Sequence, residues 1–487
     1  MRTLNPTRRY LLAILLLAAL LRLYGLGDES LWLDEGATAR RTTESYPRLV
    51  AEFQHQAQTP LYFVIEKAWC NTFGTSEFWL RLPSALLGIA ATLAVFLLAR
   101  EIFSTTVGLF AALLLAINPF AIYYSQEARP YALFLLASVL SLYFLLRLMR
   151  NLRWQEILAY LVCTVLALYA HPLGPLLLAV HGAALLIFHR VEGYRAGGTR
   201  PRAVLVAIAV AAVMYVPQLV FMWPVITAKV EGSSPAAWIP IPSFITAVHA
   251  VRDYFMSPAL AKVAMVIMAV GLALRLATRS KAWSGLYLLV ALILGFLVAP
   301  WVISRVLTPV FVVRYTIPAL AAFLILLAWA LFALAVPLRV IALAVFFALT
   351  AYTLHGYYTG LDKAPWREVA KLVREEVRPG DMVVLNAFYI SEVFNYYFRV
   401  PNGVTVAAPQ FIEDIPASLD SAPRIWLVQA YDSTPREATR VLLARIATNR
   451  TASEPVHFHD WTKPNPHAFW LSDIRVTRYE ITEKSNE

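Results

Sequence analysis

The sequence is poor in charge and poor in cysteine, and both shortages narrow what the protein can be. Of 487 residues only 15% are charged and 59% are hydrophobic, where soluble domains average about 25% charged and about 45–50% apolar. Too few charges remain to cover a water-exposed surface, and the mean hydropathy of +0.60 agrees. An ordinary soluble domain and a disordered chain are both excluded, and a polytopic membrane protein is expected. Two cysteines, Cys70 and Cys163, exclude a disulfide framework and a cysteine-rich metal site. Cys70 falls in a predicted outer loop and Cys163 inside a predicted span, so no disulfide is expected between them. There is no GxGxxG and no P-loop, hence no signature of a nucleotide cradle. The net charge is +11, yet Lys and Arg are dispersed in short segments between apolar runs. That is the positive-inside pattern and not a nucleic-acid footprint, so no nucleic-acid partner is expected. The apolar run Tyr10 to Leu26 follows Arg2, Arg8 and Arg9 without a clear small-x-small cleavage site, and is read as a retained first helix.

What the chain has in abundance is long apolar runs. A span needs about 20 mostly apolar residues. On that measure eleven spans are predicted, near 9–26, 82–102, 105–121, 130–150, 155–171, 173–189, 203–222, 259–277, 283–303, 315–335 and 338–356. Alternating through them puts Arg100, Arg147, Arg150, Arg153, Arg190, Arg275 and Arg339 on the side of the N-terminus, which is therefore expected to be cytoplasmic. The first large loop, 27–81, and the whole tail from 357 then share the extracytoplasmic face of the plasma (inner) membrane. In that loop, residues 37–54 suit an amphipathic surface helix, and Pro60 suits the first position of another helix, Leu61 to Phe73. The loop 223–258 carries Trp223, Trp238, Pro224, Pro240 and Pro242, as an ordered interfacial loop would. From about Gly360 the composition turns soluble, and alternating strand and helix signals predict a small α/β domain. Two domains follow: 1–359, transmembrane, and 360–487, extracytoplasmic.

One segment invites chemistry. Leu31-Trp32-Leu33-Asp34-Glu35-Gly36 sets two adjacent carboxylates where the chain leaves the first apolar run, close to a second pair, Asp28-Glu29. A partly desolvated carboxylate at a membrane face is a candidate general base for a lipid-borne substrate. The plainer alternative is that Asp34 caps the following helix and Glu35 favours its N-terminal dipole; the two are compatible.

The segments TPLYFVIEKAW, EFWLRLPSALLGIAATLAVFLLAREIF and GLFAALLLAINPFAIYYSQEARPYALFLLASVLSLYFLLR resemble the membrane glycosyltransferases related to protein O-mannosyltransferases. These form part of the GT-C superfamily, with the lipid A aminoarabinose transferase and rhizobial lipopolysaccharide transferases. The resemblance runs from about Leu31 to Arg147 and returns at Val313-Arg314-Tyr315-Thr316-Ile317-Pro318 and Lys363-Ala364-Pro365-Trp366-Arg367. It implies a mostly α GT-C-type fold with the C-terminal α/β domain outside the membrane. It also implies inverting transfer of a hexosyl or pentosyl sugar from a polyprenyl-phosphate donor to a hydroxyl of a glycan, lipid or protein at the outer face.

Carried onto this chain, the resemblance makes Asp34 the catalytic base and Glu35 its neighbour, helping to position the acceptor. Arginine's fork of donors matches phosphate oxygens, and Arg129, Arg314 and Tyr315 are the candidate donor-phosphate ligands; Arg305 lies in the same loop as Arg314. A snorkelling interface role is the alternative for both Arg129 and Arg314. Tyr124, Glu127 and His171 are further substrate-binding candidates, against aromatic-belt, ion-pair and interface roles. Many relatives carry an acidic residue or histidine with two prolines, as in HPPLYY, where this chain has Gln58-Thr59-Pro60-Leu61-Tyr62. His55, Glu66 and Lys67 are the candidates to compensate. The spacing of Asp34, Glu35 and His55 does not suit a metal, so no obligatory metal or other cofactor is expected. The rival class is a polyprenyl-lipid transporter or flippase, or a non-catalytic relative. The first of these would show charges deep in spans and inverted repeats, and the spans have almost no ionisable residues at mid-depth and no repeat.

Overall fold

The computed structural model describes residues 5–56, 58–191, 199–230, 238–277, 283–360, 363–430, 437–448, 450–458 and 474–482. The chain divides into two compact units. One comprises Met1–Leu26, Glu44–Gly74 and Trp79–Thr359; the other comprises Gly27–Thr43, Thr75–Phe78 and Gly360–Glu487. The second unit thus takes in two pieces of the first loop as well as the tail.

The first unit is helical throughout. Seven helices among the described residues are long and apolar enough to cross a membrane, or eight if the bent pair Thr105–Ala116 and Pro119–Ser125 is one span. The other three predicted spans also coincide with helices. Trp154–Ala170 and Leu176–Val191 are shorter, and Pro6–Leu23 carries Arg8, Arg9 and Arg22. At the centre lies Ile317–Leu331, with every residue buried. Val336–Gly360 is its opposite, only 11% buried although it is as apolar as the rest. An apolar helix left uncovered by protein is what a lipid-facing span requires.

The bent pair deserves its explanation because it positions the site. The 62° bend falls at Ile117-Asn118-Pro119. Asn118 caps the second half, its Oδ1 accepting from Ala121 N–H (2.8 Å) while its Nδ2 donates to Tyr254 O (2.9 Å). Pro119 then occupies the first turn, where its missing N–H costs nothing. The interrupted first half leaves carbonyls without helical partners. The guanidinium of Arg22, itself fully buried, donates to Leu115 O (3.1 Å) and Ala116 O (3.0 Å), and its Nε donates to Ser125 Oγ (3.2 Å). Gly88 lets this corner close: a Cβ there would stand 2.1 Å from Ser125 Oγ and 2.7 Å from its Cβ. Gln126, just past the bend, donates to Tyr24 O (2.9 Å) and Arg22 O (3.2 Å) at the end of the first helix.

Elsewhere His181 sits fully buried between Tyr160 Oη (2.9 Å) and Ser141 Oγ (3.3 Å), with Thr164 completing the set. This ties Tyr131–Arg150, Trp154–Ala170 and Leu176–Val191 together by polar contacts inside the apolar layer.

The second unit holds a mixed sheet. Its strands are β1 (Met382–Leu385), β2 (Thr405–Ala407), β3 (Arg424–Gln429), β4 (Arg450–Ala452), β5 (Val456–His457) and β6 (Arg475–Ile481). The order is β2-β1-β3-β6-β4, with β5 also on β6. β1 runs parallel to β2 and β3, and β6 runs antiparallel to β3, β4 and β5. One face packs Met382, Val384, Ile425 and Leu427 against Leu442 and Ile446 of the helix Glu437–Ala447.

The expected surface helix over 37–54 is in fact two helices, Leu33–Thr43 and Tyr46–Glu52, the latter started by Pro47 and assigned to the other unit. Pro60 stands at the N-cap of Leu61–Phe73, one position earlier than expected.

Replacing Arg22 with Met strands the Ala116 carbonyl in an apolar interior and leaves Leu115 O the long bond from Asn118 N–H (3.4 Å), a loss of about 2 kcal/mol. A melt in detergent is expected to show a clear drop for Arg22→Met. Arg150→Gln, which breaks a half-exposed pair with Glu101, is expected to move the same melt little, within about 1 kcal/mol.

Candidate functional site

Two clusters of charged side chains stand out, one in each unit. The first unit gathers buried cations. The segment after the bend, Gln126-Glu127-Ala128-Arg129, is buried throughout. Arg129 donates from Nη2 to Gln58 Oε1 (3.3 Å) and lies 5.5 Å from the centre of the Phe63 ring. Its carbonyl accepts from Ser84 Oγ (3.1 Å), and Ser84 bonds Tyr62 Oη (2.9 Å). Burial, then the Glu66 carboxylate, pushes the Tyr62 phenol well above its ordinary range. Glu66 is fully buried, and its Oε1 is 3.9 Å from Cys70 Sγ. Burial, with Glu66 adding, pushes that thiol up to about 12, so Cys70 stays protonated. Glu66 therefore buttresses the floor beneath Arg129 through Tyr62 and Ser84. Lys67, nearly buried, lies over the Tyr46 ring at 5.1 Å.

Arg314 sits in the short turn Val313–Thr316, 4% exposed. Its Nε donates to Tyr131 Oη (2.7 Å), and its guanidinium faces the rings of Tyr315 (5.5 Å), Trp238 (5.7 Å) and Tyr131 (5.9 Å). Aromatic faces stabilise a cation once water is removed. His171 joins this group: its ring stacks on Phe134 (4.8 Å) and meets Tyr315 edge-on (4.6 Å). The helix Trp154–Ala170 ends one residue before it, so His171 lies in the connecting turn and not in the span predicted to include it. Burial, then Arg129, then Arg314, hold its pKa down to about 3. Tyr131, two residues along from Arg129, accepts from Arg314 and has its ring centre 6.4 Å from that of His171, so both arginines of the sequence analysis belong to one region of the first unit. Nδ1 of His171 accepts from Leu173 N–H (3.1 Å), so in the neutral ring Nε2 carries the proton and is a donor. Tyr124 and Glu127 are buried in the same region: Tyr124 feels both Arg314 and Glu127, and Glu127 stands beside Tyr123. Arg129 N–H donates to Glu127 O (2.8 Å). Arg305 is used otherwise, donating to Pro242 O (3.0 Å) and stacking on Trp301. Arg81, the expected clamp, donates to Leu26 O (3.1 Å). His55 closes the short turn Phe53–His55, and its side chain lies outside the described residues.

The second unit carries the acid pair. The helix starts at Leu33, so Asp34 lies inside the first turn and Trp32 takes the capping position, its C=O accepting from Glu35 and Gly36 N–H (both 2.9 Å). The reciprocal capping bond falls to Glu35, whose Oε2 accepts from Trp32 N–H (3.4 Å). Asp34 is thus not the cap that the plainer alternative made it. It is half-buried, while Glu35 is fully buried against Lys363 Nζ (3.2 Å). Gly36 permits the tight approach of this helix to Ser391–Tyr397: a Cβ would stand 2.5 Å from Val393 Cα. Arg40 and Glu392 add an ion pair across the same contact (3.0 Å).

Sequence reasoning singled out Arg129, Arg314, Tyr315 and the acid pair as candidates. It missed the partners Tyr131, Trp238, Gln58, Ser84 and Lys363. Tyr131 and Lys363 lay in plain view, in YYSQEARPYAL and in Lys363-Ala364-Pro365-Trp366-Arg367. Among the described residues no three His, Cys, Asp or Glu side chains group as metal ligands.

With this geometry the chain shares its fold with the GT-C membrane glycosyltransferases. Residues 57–223 match the family of dolichyl-phosphate-mannose-protein mannosyltransferases. Of solved structures, ArnT from Cupriavidus metallidurans bound to undecaprenyl phosphate matches with a TM-score of 0.60 at 13% identity, over 96% of this chain and 98% of that one. AglB oligosaccharyltransferase from Archaeoglobus fulgidus, in complex with an inhibitory peptide and a dolichol-phosphate, gives 0.56 at 15% identity, over 87% and 69%. Mycobacterial arabinofuranosyltransferase AftD gives 0.51 at 15%, over 99% of this chain and 40% of that one. No curated protein matches in sequence.

His171 sets a pH signature on stability. Its pKa is about 3 in the folded chain and 6.5 when exposed, so below pH 6.5 the unfolded state takes up a proton that the folded state refuses. Stability is full above pH 6.5 and is lost as pH falls toward 3, by about 2 kcal/mol at pH 5 from this residue. Comparing melts at pH 7 and pH 5, the fall is expected to be smaller in His171→Gln than in wild type.

Proposed function

We propose that the protein is an inverting glycosyltransferase of the plasma (inner) membrane. It moves a hexosyl or pentosyl sugar from a polyprenyl-phosphate carrier to a hydroxyl of a glycan, lipid or protein. The observation that carries this is the buried Arg314, bonded to Tyr131 two residues from buried Arg129 and walled by aromatic rings, with His171 against Tyr315. A buried guanidinium at an aromatic wall meets an anionic ligand with little competition from water. A phosphate matches the guanidinium fork, and the departing polyprenyl phosphate gathers charge as the sugar leaves, so the cations stabilise the product side of the transition state most. Neutral His171 offers an Nε2–H donor without adding a third charge. The neighbours bound to undecaprenyl phosphate and to dolichol-phosphate support the lipid class of the ligand.

Asp34 is the base that takes the proton from the acceptor hydroxyl. Of the two adjacent carboxylates it is the half-buried one, whereas Glu35 is fully buried against Lys363 Nζ. The eleven helices and an extracytoplasmic Asp34 loop and tail, with the N-terminus in the cytoplasm, follow from the distribution of Lys and Arg. No obligatory metal enters the reaction in this reading.

The test is release of free polyprenyl phosphate by purified protein in detergent, over a panel of polyprenyl-phosphate sugars with membrane extract as acceptor source. Wild type is expected to release it from one donor, and equally so in EDTA. Asp34→Asn is expected to fall by about 1,000-fold or more in kcat while melting like wild type. Arg314→Gln is expected to raise KM for the donor and lower kcat. Near-normal turnover by Asp34→Asn rejects the base, and release by no donor rejects the transferase.

A further inference from the structure

The second unit has a feature that the proposed reaction does not by itself require. Residues 28–35 are held along their length by residues 363–368 of the tail. Lys363 N–H donates to Glu29 Oε2 (3.0 Å) and Lys363 Nζ to Glu35 Oε2 (3.2 Å). Arg367 N–H donates to Ser30 Oγ (3.3 Å), and its Nη1 donates to Asp28 O (3.1 Å). Ser30 Oγ in turn donates to Glu368 Oε2 (3.4 Å). Glu77 joins both sides, accepting from Arg367 Nη2 (2.7 Å) and from Tyr397 Oη (2.9 Å), and Tyr397 Oη accepts from Leu31 N–H (2.7 Å). Two motifs more than three hundred residues apart in sequence thus form one clamp.

Within it the two carboxylates are divided. Successive helical residues point about 100° apart, so a side chain held inward at Glu35 turns its neighbour Asp34 to another face. Glu35 and Lys363 are both buried, at 0% and 8% side-chain exposure. A carboxylate committed to an ammonium group, and also to Trp32 N–H, is poorly suited to collect a proton, because the partner stabilises its charged form. We infer that Lys363 and Glu35 form a positioning pair that fixes the orientation of the Asp34 carboxylate, and that Glu35 takes no proton in the reaction. This rests on the transferase reading for its kinetic consequence but not for its structural one.

The test uses the full-length protein in detergent with two readouts: donor turnover, and amide hydrogen exchange over residues 28–36, which needs no turnover. Lys363→Met and Glu35→Met are each expected to lower kcat by about 100-fold with KM for the donor within about threefold, the cost of a misplaced group, and to speed exchange in 28–36. Lys363→Arg keeps the charge and is expected to hold most of the activity. The double variant Glu35→Met/Lys363→Met replaces the pair by two apolar chains of similar length, a change that buried pairs tolerate. It is expected to recover about tenfold or more over either single variant and to slow exchange again. A double variant as inactive as Glu35→Met overturns the inference by giving Glu35 a chemical role. So does a Lys363→Met protein with wild-type kcat and exchange. If wild type turns over no donor, the transferase reading falls, and the exchange pattern alone then decides the clamp.

Discussion

A helix that stops inside an apolar layer exposes carbonyls that nothing there can solvate, and the first unit depends on how that is met. Arg22 meets it. Its guanidinium has donors enough for Leu115 O, Ala116 O and Ser125 Oγ at once, which no lysine would satisfy in one plane. Asn118 and Pro119 start the next half with the chemistry of a helix N-terminus. The bend so made sends the chain out of its old axis and into Gln126-Glu127-Ala128-Arg129, and Gln126 ties that turn back to the first helix. Irregular backbone at such depth is tolerated only where protein partners satisfy it, and here they are side chains from three separate segments.

The same economy governs the arginine cluster. Arg314 donates to one tyrosine hydroxyl and faces three aromatic rings, which keep water from the cation. Arg129 is supported from below through Ser84 and Tyr62. Surroundings that exclude water and fix a guanidinium in place strengthen its field on a ligand.

Much of this was legible in the sequence. Apolar composition places helices with little help from tertiary structure, and every predicted span coincides with a helix. The bend was also written there, as Asn118-Pro119, but a single apolar run over 105–121 hid it, because hydropathy registers burial and not direction. Ser45-Tyr46-Pro47 likewise marked a helix start inside the stretch read as one surface helix. The three-residue strand β4 escaped because an edge strand so short has no period to read. What sequence could not supply was non-local. The acid pair and Lys363-Ala364-Pro365-Trp366-Arg367 each drew notice, but only folding joins them. Tyr131 and Trp238 reach Arg314 from distant parts of the chain for the same reason.

The membership of the second unit bears on the order of biosynthesis. Its first piece, Gly27–Thr43, is among the earliest segments to leave the ribosome, while its sheet and the Lys363 partner of Glu35 come 328 residues later. At about 5–20 residues per second the helix beginning at Leu33 waits roughly 15–65 s for the chain that completes it. During that interval the nascent protein holds an acid pair without its clamp and a Gly36 face without its neighbour. A chaperone or a membrane surface has that window in which to hold the loop. Any truncation upstream of Lys363 leaves the loop permanently without its clamp, however well the helical unit has formed.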